Sequence, residues 1–218
     1  MKIFYLDLET TGVKFWKNGI WQIAGAIEID GEVKEAFDFK VQPYHAAMIE
    51  PEALAIGGIT SEDLKDFADF RDVYEQITSM LSRYVDKFNK KDKFYIVGYN
   101  NASFDNSFFR AFFVQNDDQY FGSWFWSCPI DAMVLAGQYL LNDRPGMIDF
   151  KLKTVAAKLG LQVDETRLHD AGYDIELTRS IYKIVTAPKG LAGMYSAITK
   201  LQEENDALIL RINALESY

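Results

Sequence analysis

At 218 residues, with 49% hydrophobic and 25% charged residues, the chain has the balance of a globular protein with one sizeable domain and room for an appendage. A net charge of -9 excludes a protein that coats nucleic acid through a broad basic surface, while leaving room for one that grips only a strand end through local lysines. No apolar run approaches the ~20 residues of a membrane span and no basic, apolar leader precedes the first strand, so a cytoplasmic protein without membrane association is expected. The single cysteine, Cys128, fits a reducing compartment and, beside Pro129 in an aromatic segment, is assigned to the core.

The first predicted element is Lys2 to Gly12, KIFYLDLETTG, whose Ile3, Phe4, Tyr5 and Leu6 suit a buried central strand. Alternation along a strand places Asp7 and Glu9 on one face, about 7 Å apart. Two carboxylates aimed at one point repel unless something positive lies between them, and a divalent cation is the obvious occupant. The plain alternative is that they mark where the strand leaves the core. Val13 to Gly19 is expected as a loop in which Phe15 and Trp16, interleaved with Lys14 and Lys17, suit base stacking and phosphate contact or else fold back onto the core. Trp21 to Ile29 and Glu32 to Val41 read as strands joined by an Asp30-Gly31 hairpin turn, giving an antiparallel meander with the first. Pro43 to Gly58 reads as irregular, and Thr60 with Asp63 as the capped start of a helix.

Apolar spacing predicts a helix over Phe70 to Phe88, and Lys90, Lys91, Asp92 and Lys93 a solvated loop. Phe94 to Gly98 is a further buried strand, after which Ser103 is expected to cap a helix containing Asp105, Phe108 and Phe112. Trp124 to Ile130 reads as a strand, followed by helices over Asp131 to Leu141, Phe150 to Leu159 and Asp170 to Val185. Lys151, Lys153 and Lys158 are further candidates for phosphate contact. Three strands, a crossover helix and two more strands with helices indicate a mixed five-stranded α/β sheet covered on both faces.

Asp105 in a first helical turn is by itself an ordinary N-terminal charge. His169-Asp170-Ala171-Gly172-Tyr173-Asp174 is more specific, with one of only two histidines at a fixed offset from an acid. The set Asp7-x-Glu9-Thr10-Thr11-Gly12, then Tyr99-Asn100-Asn101-Ala102-Ser103-Phe104-Asp105, then His169-x-Ala171-x-x-Asp174 resembles the three motifs of the DnaQ-like DEDD 3′-5′ exonucleases, histidine subclass. The resemblance runs from about residue 2 to 186 and takes in Pro129-Ile130-Asp131; Asp170 stands where the tyrosine subclass has its tyrosine. It implies a ribonuclease H-like fold and an enzyme that hydrolyses phosphodiester bonds from the 3′ end of DNA or RNA, releasing nucleoside 5′-monophosphates.

The same resemblance implies two divalent ions, Mg²⁺ or Mn²⁺, held by Asp7, Glu9, Asp105 and Asp174. In it Asp7 bridges both ions, Glu9 and Asp174 complete the water-activating site, Asp105 supports the other, and His169 is the general base. The backbone around Thr10, Thr11 and Gly12 would hold the terminal nucleotide, with Asn101 and Phe104 supporting its pocket. Gly57 departs from the family, which often has a histidine there.

The chain is expected to divide into an exonuclease domain over 1–187 and a C-terminal helix over 188–218. Ile198, Asn205 and Ile212 fall seven apart, as do Leu201, Leu208 and Leu215, the a and d positions of a coiled coil with one asparagine at a. A parallel homodimer is the expected use of this helix; the alternatives are packing on its own domain or engaging another protein. The rival to an enzyme is a binding or assembly protein that keeps the nuclease fold and works through this tail.

Overall fold

The computed structural model describes residues 1–168 and 170–187 and, beyond them, Ile198, Leu201, Gln202 and Asn205. Its centre is a five-stranded sheet built from β1 (Lys2–Thr10), β2 (Ile20–Ile29), β3 (Glu32–Lys40), β4 (Tyr95–Gly98) and β5 (Ile130–Asp131) in the order β3-β2-β1-β4-β5. β1 runs antiparallel to β2 and parallel to β4. The expected meander and mixed sheet are therefore present. Asp30 and Gly31 take φ values of 51° and 90°, the left-handed pair that a two-residue hairpin turn requires.

Seven helices follow among the described residues: α1 (Pro51–Ile56), α2 (Phe70–Ser82), α3 (Asp105–Gln115), α4 (Phe121–Trp124), α5 (Ala132–Tyr139), α6 (Leu152–Lys158) and α7 (Ala171–Thr186). Period-two alternation divides β1 between two cores. Phe4, Leu6 and Leu8 face α2 and α3, where Phe94, Phe109, Phe112, Phe113 and Phe125 are buried with them. Each such ring contributes about 2–3 kcal/mol by burial, and tilted or edge-on pairs such as Phe109–Phe113, 5.3 Å apart, add about 1 kcal/mol. Ile3 and Tyr5 face the other way, against Ala132 of α5 and Ile175 and Tyr182 of α7. The same alternation carries Asp7 and Glu9 onto the α7 face.

Several local expectations give way to tertiary context. Part of the segment expected to be irregular is α1, which starts on Pro51 and buries Leu54 against Trp21. Asp63 does accept from the Thr60 amide and hydroxyl, both at 2.7 Å, but what it opens is one 3₁₀ turn over Asp63–Asp66. α2 stops at Ser82, leaving Phe88 outside it and 85% exposed. Of the expected strand from Trp124, Trp124 itself ends α4, Phe125 makes one isolated parallel bridge to Phe94, and Ile130 and Asp131 form the strand that pairs with β4. Cys128 is exposed rather than in the core. Asp92 is not simply solvated, since it takes a hydrogen bond from the Lys2 ammonium. The seven-residue pattern of the tail lies outside the described residues except at Ile198, Leu201 and Asn205, which are helical and exposed.

Candidate active site

The site forms where the C-terminal end of β1 meets the loop after β4 and the start of α7. A bulge marks the place: Glu9 pairs with Gln22 but Thr10 pairs with Ile20, so Trp21 is left over and turns its ring into the α1 side of the molecule. Beyond it, Thr10 and Thr11 tie the chain down. The Thr10 hydroxyl donates to the Gly12 carbonyl at 2.7 Å, and the Thr11 hydroxyl donates to the Met48 carbonyl at 2.7 Å while accepting from the Gly19 amide at 2.9 Å. Asn18 sits under Gly12, where a β-carbon would collide with its amide. The threonine side chains are thus committed internally, and it is the backbone here that is placed beside the acids. Lys14, Phe15 and Trp16 stand exposed on the adjoining loop, with the Phe15 ring 6.5 Å from Phe108 and 5.1 Å from Trp16.

Asp105 opens α3 and is buried. Its carboxylate accepts from the Leu8 amide at 3.1 Å, which locks the second motif to the strand between Asp7 and Glu9. Ser103 does not cap this helix; its hydroxyl turns to Asn100, and Phe104 occupies the cap position with its ring 5.0 Å from Phe108. Asn101 is fully buried under Gly98, with neither amide atom hydrogen-bonded. Asp174 lies in the first turn of α7, whose start is capped by the Asp170 carboxylate accepting from the Tyr173 amide at 2.9 Å. His169 lies outside the described residues.

The electrostatics join these acids into one group. Asp7 is pushed well above the usual carboxylate range by burial, then by Asp105, Glu9 and Asp174. Glu9 is pushed up to about 7 by burial and by Asp174 and Asp105. Asp105 is also raised to about 7, chiefly by burial, against the lowering effect of the Leu8 amide. Partly buried carboxylates that raise one another's proton affinity are an all-oxygen, anionic donor set, the kind a hard divalent cation selects. Among the described residues no three acidic, histidine or cysteine side chains stand in ready-made metal-holding geometry. The donor chemistry fits such an ion, and side-chain rotation would have to gather it.

A residue given little weight in the sequence proves central. Asp131 accepts from the amides of Asn100 at 3.0 Å, Ala102 at 3.3 Å and Met133 at 2.9 Å. One carboxylate thereby caps α5 and fixes the loop, with Asn100 at φ 60°, that presents Asp105. Its position at a strand end before a helix was the available signal. Gly57 also acquires a reason: any β-carbon there would run into the Trp21 ring. Of the lysines considered for phosphate contact, Lys158 pairs with Asp143 at 2.7 Å and Lys153 approaches Glu165 at 3.8 Å, whereas Lys14 and Lys151 are exposed.

Comparison with known proteins places the chain and its fold. The exonuclease family model matches residues 4–182. Ribonuclease T of Cronobacter sakazakii is 28% identical over 200 residues, covering 86% of this chain and 83% of that protein. The PolC-type DNA polymerase III of Mycoplasmopsis pulmonis is 25% identical over 211 residues, which is 97% of this chain but only 12% of the polymerase. Among solved structures, Escherichia coli exonuclease I in complex with a dT13 oligonucleotide superposes with a TM-score of 0.69 at 22% identity, covering 89% of this chain and 43% of that one. The chain therefore spans a small part of the polymerase and under half of exonuclease I, sharing with the latter a ribonuclease H-like fold.

Proposed function

Because the chain belongs to the exonuclease family, we propose that it is a divalent-metal-dependent 3′-5′ exonuclease that shortens DNA or RNA from the 3′ end and releases nucleoside 5′-monophosphates. The observation that carries this reading is the convergence of Asp7 and Glu9 from β1, Asp105 hydrogen-bonded to the Leu8 amide between them, and Asp174 from the first turn of α7, close enough to raise the carboxyls of Asp7 and Glu9. Asp7, Glu9, Asp105 and Asp174 would hold two ions, Mg²⁺ or Mn²⁺, which when bound supply charge neutralisation of the scissile phosphate and activation of the attacking water. His169, five residues before Asp174, is the proposed general base, the role that an imidazole performs most often. The backbone of Thr10 to Gly12, rigidly held, supports the terminal nucleotide; Phe104 and the buried Asn101 back its pocket.

Relatives bear names that point to both sugars, ribonuclease T on one side and an exonuclease I bound to dT13 on the other. A time course on 3′- and 5′-labelled single-stranded DNA and RNA of one sequence, with Mg²⁺, with EDTA and with Asp7→Ala, tests the proposal. A metal-dependent ladder receding from the 3′ end, reduced at least about 10²-fold in the variant, is expected. Absence of cleavage of either polymer and of duplex ends by the folded, metal-loaded protein would refute it and favour an assembly role. We further propose a cytoplasmic protein whose residues 188–218 form a parallel homodimer helix; monomer masses in sedimentation for both the full chain and one ending at Lys189 would exclude the dimer.

A further inference from the structure

A cavity of about 840 Å³ lies at the far end of the domain from the acids. Lys93, on its wall, immediately precedes Phe94 and β4, and β4 pairs in parallel with β1 so that Tyr95 lies beside Ile3. Asn116 and Asp117, also on the wall, follow the last turn of α3, the helix that begins with Asp105. Six residues of strand between Ile3 and Glu9 span ~20 Å, and the eleven-residue α3 spans ~16 Å. A ligand in this cavity does not touch the candidate active site.

Its lining combines positive charge with aromatic surface, in a chain whose overall charge is -9. Lys87, Lys90 and Lys93 come from the segment after α2, and Arg71 from its first turn. Lys93 donates to the Gly122 carbonyl and Arg71 donates to the Asn116 carbonyl at 3.1 Å, whereas Lys87 and Lys90 have no carboxylate partner among the described residues. Two acids share the wall. Asp118 is occupied, accepting from the Tyr74 hydroxyl at 2.7 Å and from the Tyr120 amide at 2.6 Å, which leaves Asp117 able to accept from a sugar hydroxyl. Phe88 and Tyr120 are 85% and 73% exposed, and the Lys87 ammonium stands 5.6 Å from the Trp124 ring and 5.5 Å from Phe88. Exposed rings that bracket unpaired ammonium groups suit a flat heteroaromatic ring bearing an anionic group, and the volume is that of a small-molecule site.

We propose that this cavity is a second nucleotide-binding site, taking the base against Phe88 and Tyr120 and the phosphate on Lys87 and Lys90. The occupant is one nucleotide unit, either a free nucleoside monophosphate or part of a polynucleotide strand. Calorimetry in EDTA, where no turnover occurs, tests this independently of the exonuclease reading, using the full chain with 5′-AMP, inorganic phosphate and an oligodeoxyadenylate. Wild type is expected to bind AMP, and the exposed double charge reversal K87E/K90E to bind it at least about tenfold more weakly, with Phe88→Ala weakening AMP but not phosphate.

An oligonucleotide that binds more tightly than AMP, with a salt slope that falls by about 1.4 in K87E/K90E, assigns the site to the strand. AMP binding at least as tight as the oligonucleotide's assigns it to the free nucleotide. Undiminished AMP affinity in K87E/K90E, or no AMP binding by the wild-type protein, overturns the proposal.

Discussion

Glu9→Gln should stabilise the metal-free protein at alkaline pH. Burial, Asp174 and Asp105 raise the Glu9 carboxyl from an ordinary 4.5 to about 7. A carboxyl whose folded pKa lies above its unfolded one contributes no penalty below the unfolded value, where both states are protonated. Stability is lost as pH rises between 4.5 and about 7, and the loss is complete above that. At 1.36 kcal/mol per pH unit the full loss is about 3.4 kcal/mol. Since Asp105 and Asp174 share the repulsion, neutralising either of them as well recovers less than its separate share. Thermal denaturation in EDTA should show Glu9→Gln melting ~7–14 °C above wild type at pH 8 and level with it at pH 4.5. With saturating Mg²⁺ the order should reverse at pH 8, because the variant lacks a ligand that converts ion binding into folding stability. A variant that is less stable than wild type in EDTA at pH 8, or equally shifted at both pH values, would refute the assignment of Glu9 to a mutually repelling cluster.

Three other outcomes are expected. Asp131→Asn exchanges an acceptor of three amides for a group that meets some of them with N–H, costing about 1–3 kcal/mol by urea titration and raising the Mg²⁺ concentration for half-maximal activity, since the Asp105 loop loosens; unchanged Mg²⁺ dependence would confine Asp131 to capping α5. Glu28, 3% exposed on β2, accepts from Arg179 at 2.7 Å and forms an ion pair with Lys183 at 3.3 Å, and so clamps α7 to the sheet. Glu28→Gln should cost about 2 kcal/mol, less than a fully buried pair because both cations keep some access to water. His169→Ala should lose the acid limb of the pH–rate profile and about 10²–10⁴-fold in rate, and a profile that keeps this limb would assign the base to another group.

The sequence determined most of the sheet, and the side on which Asp7 and Glu9 lie, because both are written in short-range patterns. Alternation in KIFYLDLET is enough to make a buried strand and to put Asp7 and Glu9 on one side, and Asp30-Gly31 is enough to fold β2 onto β3. Tertiary structure decided what depends on distant neighbours. Trp124 to Ile130 has the residue types of a strand, yet Phe125, drawn into the Phe109 and Phe113 cluster, makes only an isolated bridge to Phe94, and the continuous strand is the two residues Ile130 and Asp131. Phe88 continues a helical period on paper, but the turn that delivers β4 to the sheet leaves it exposed beside lysines. Asp131 shows the same limit from the other side. Its three amide partners lie on both sides of it in the chain, and only the parallel pairing of β4 with β5 brings Asn100 and Ala102 within reach of its carboxylate. Residue type and local spacing reveal which groups can act, whereas contacts across 30 or more residues fix where they point, because a carboxylate's work depends on the few ångströms around it.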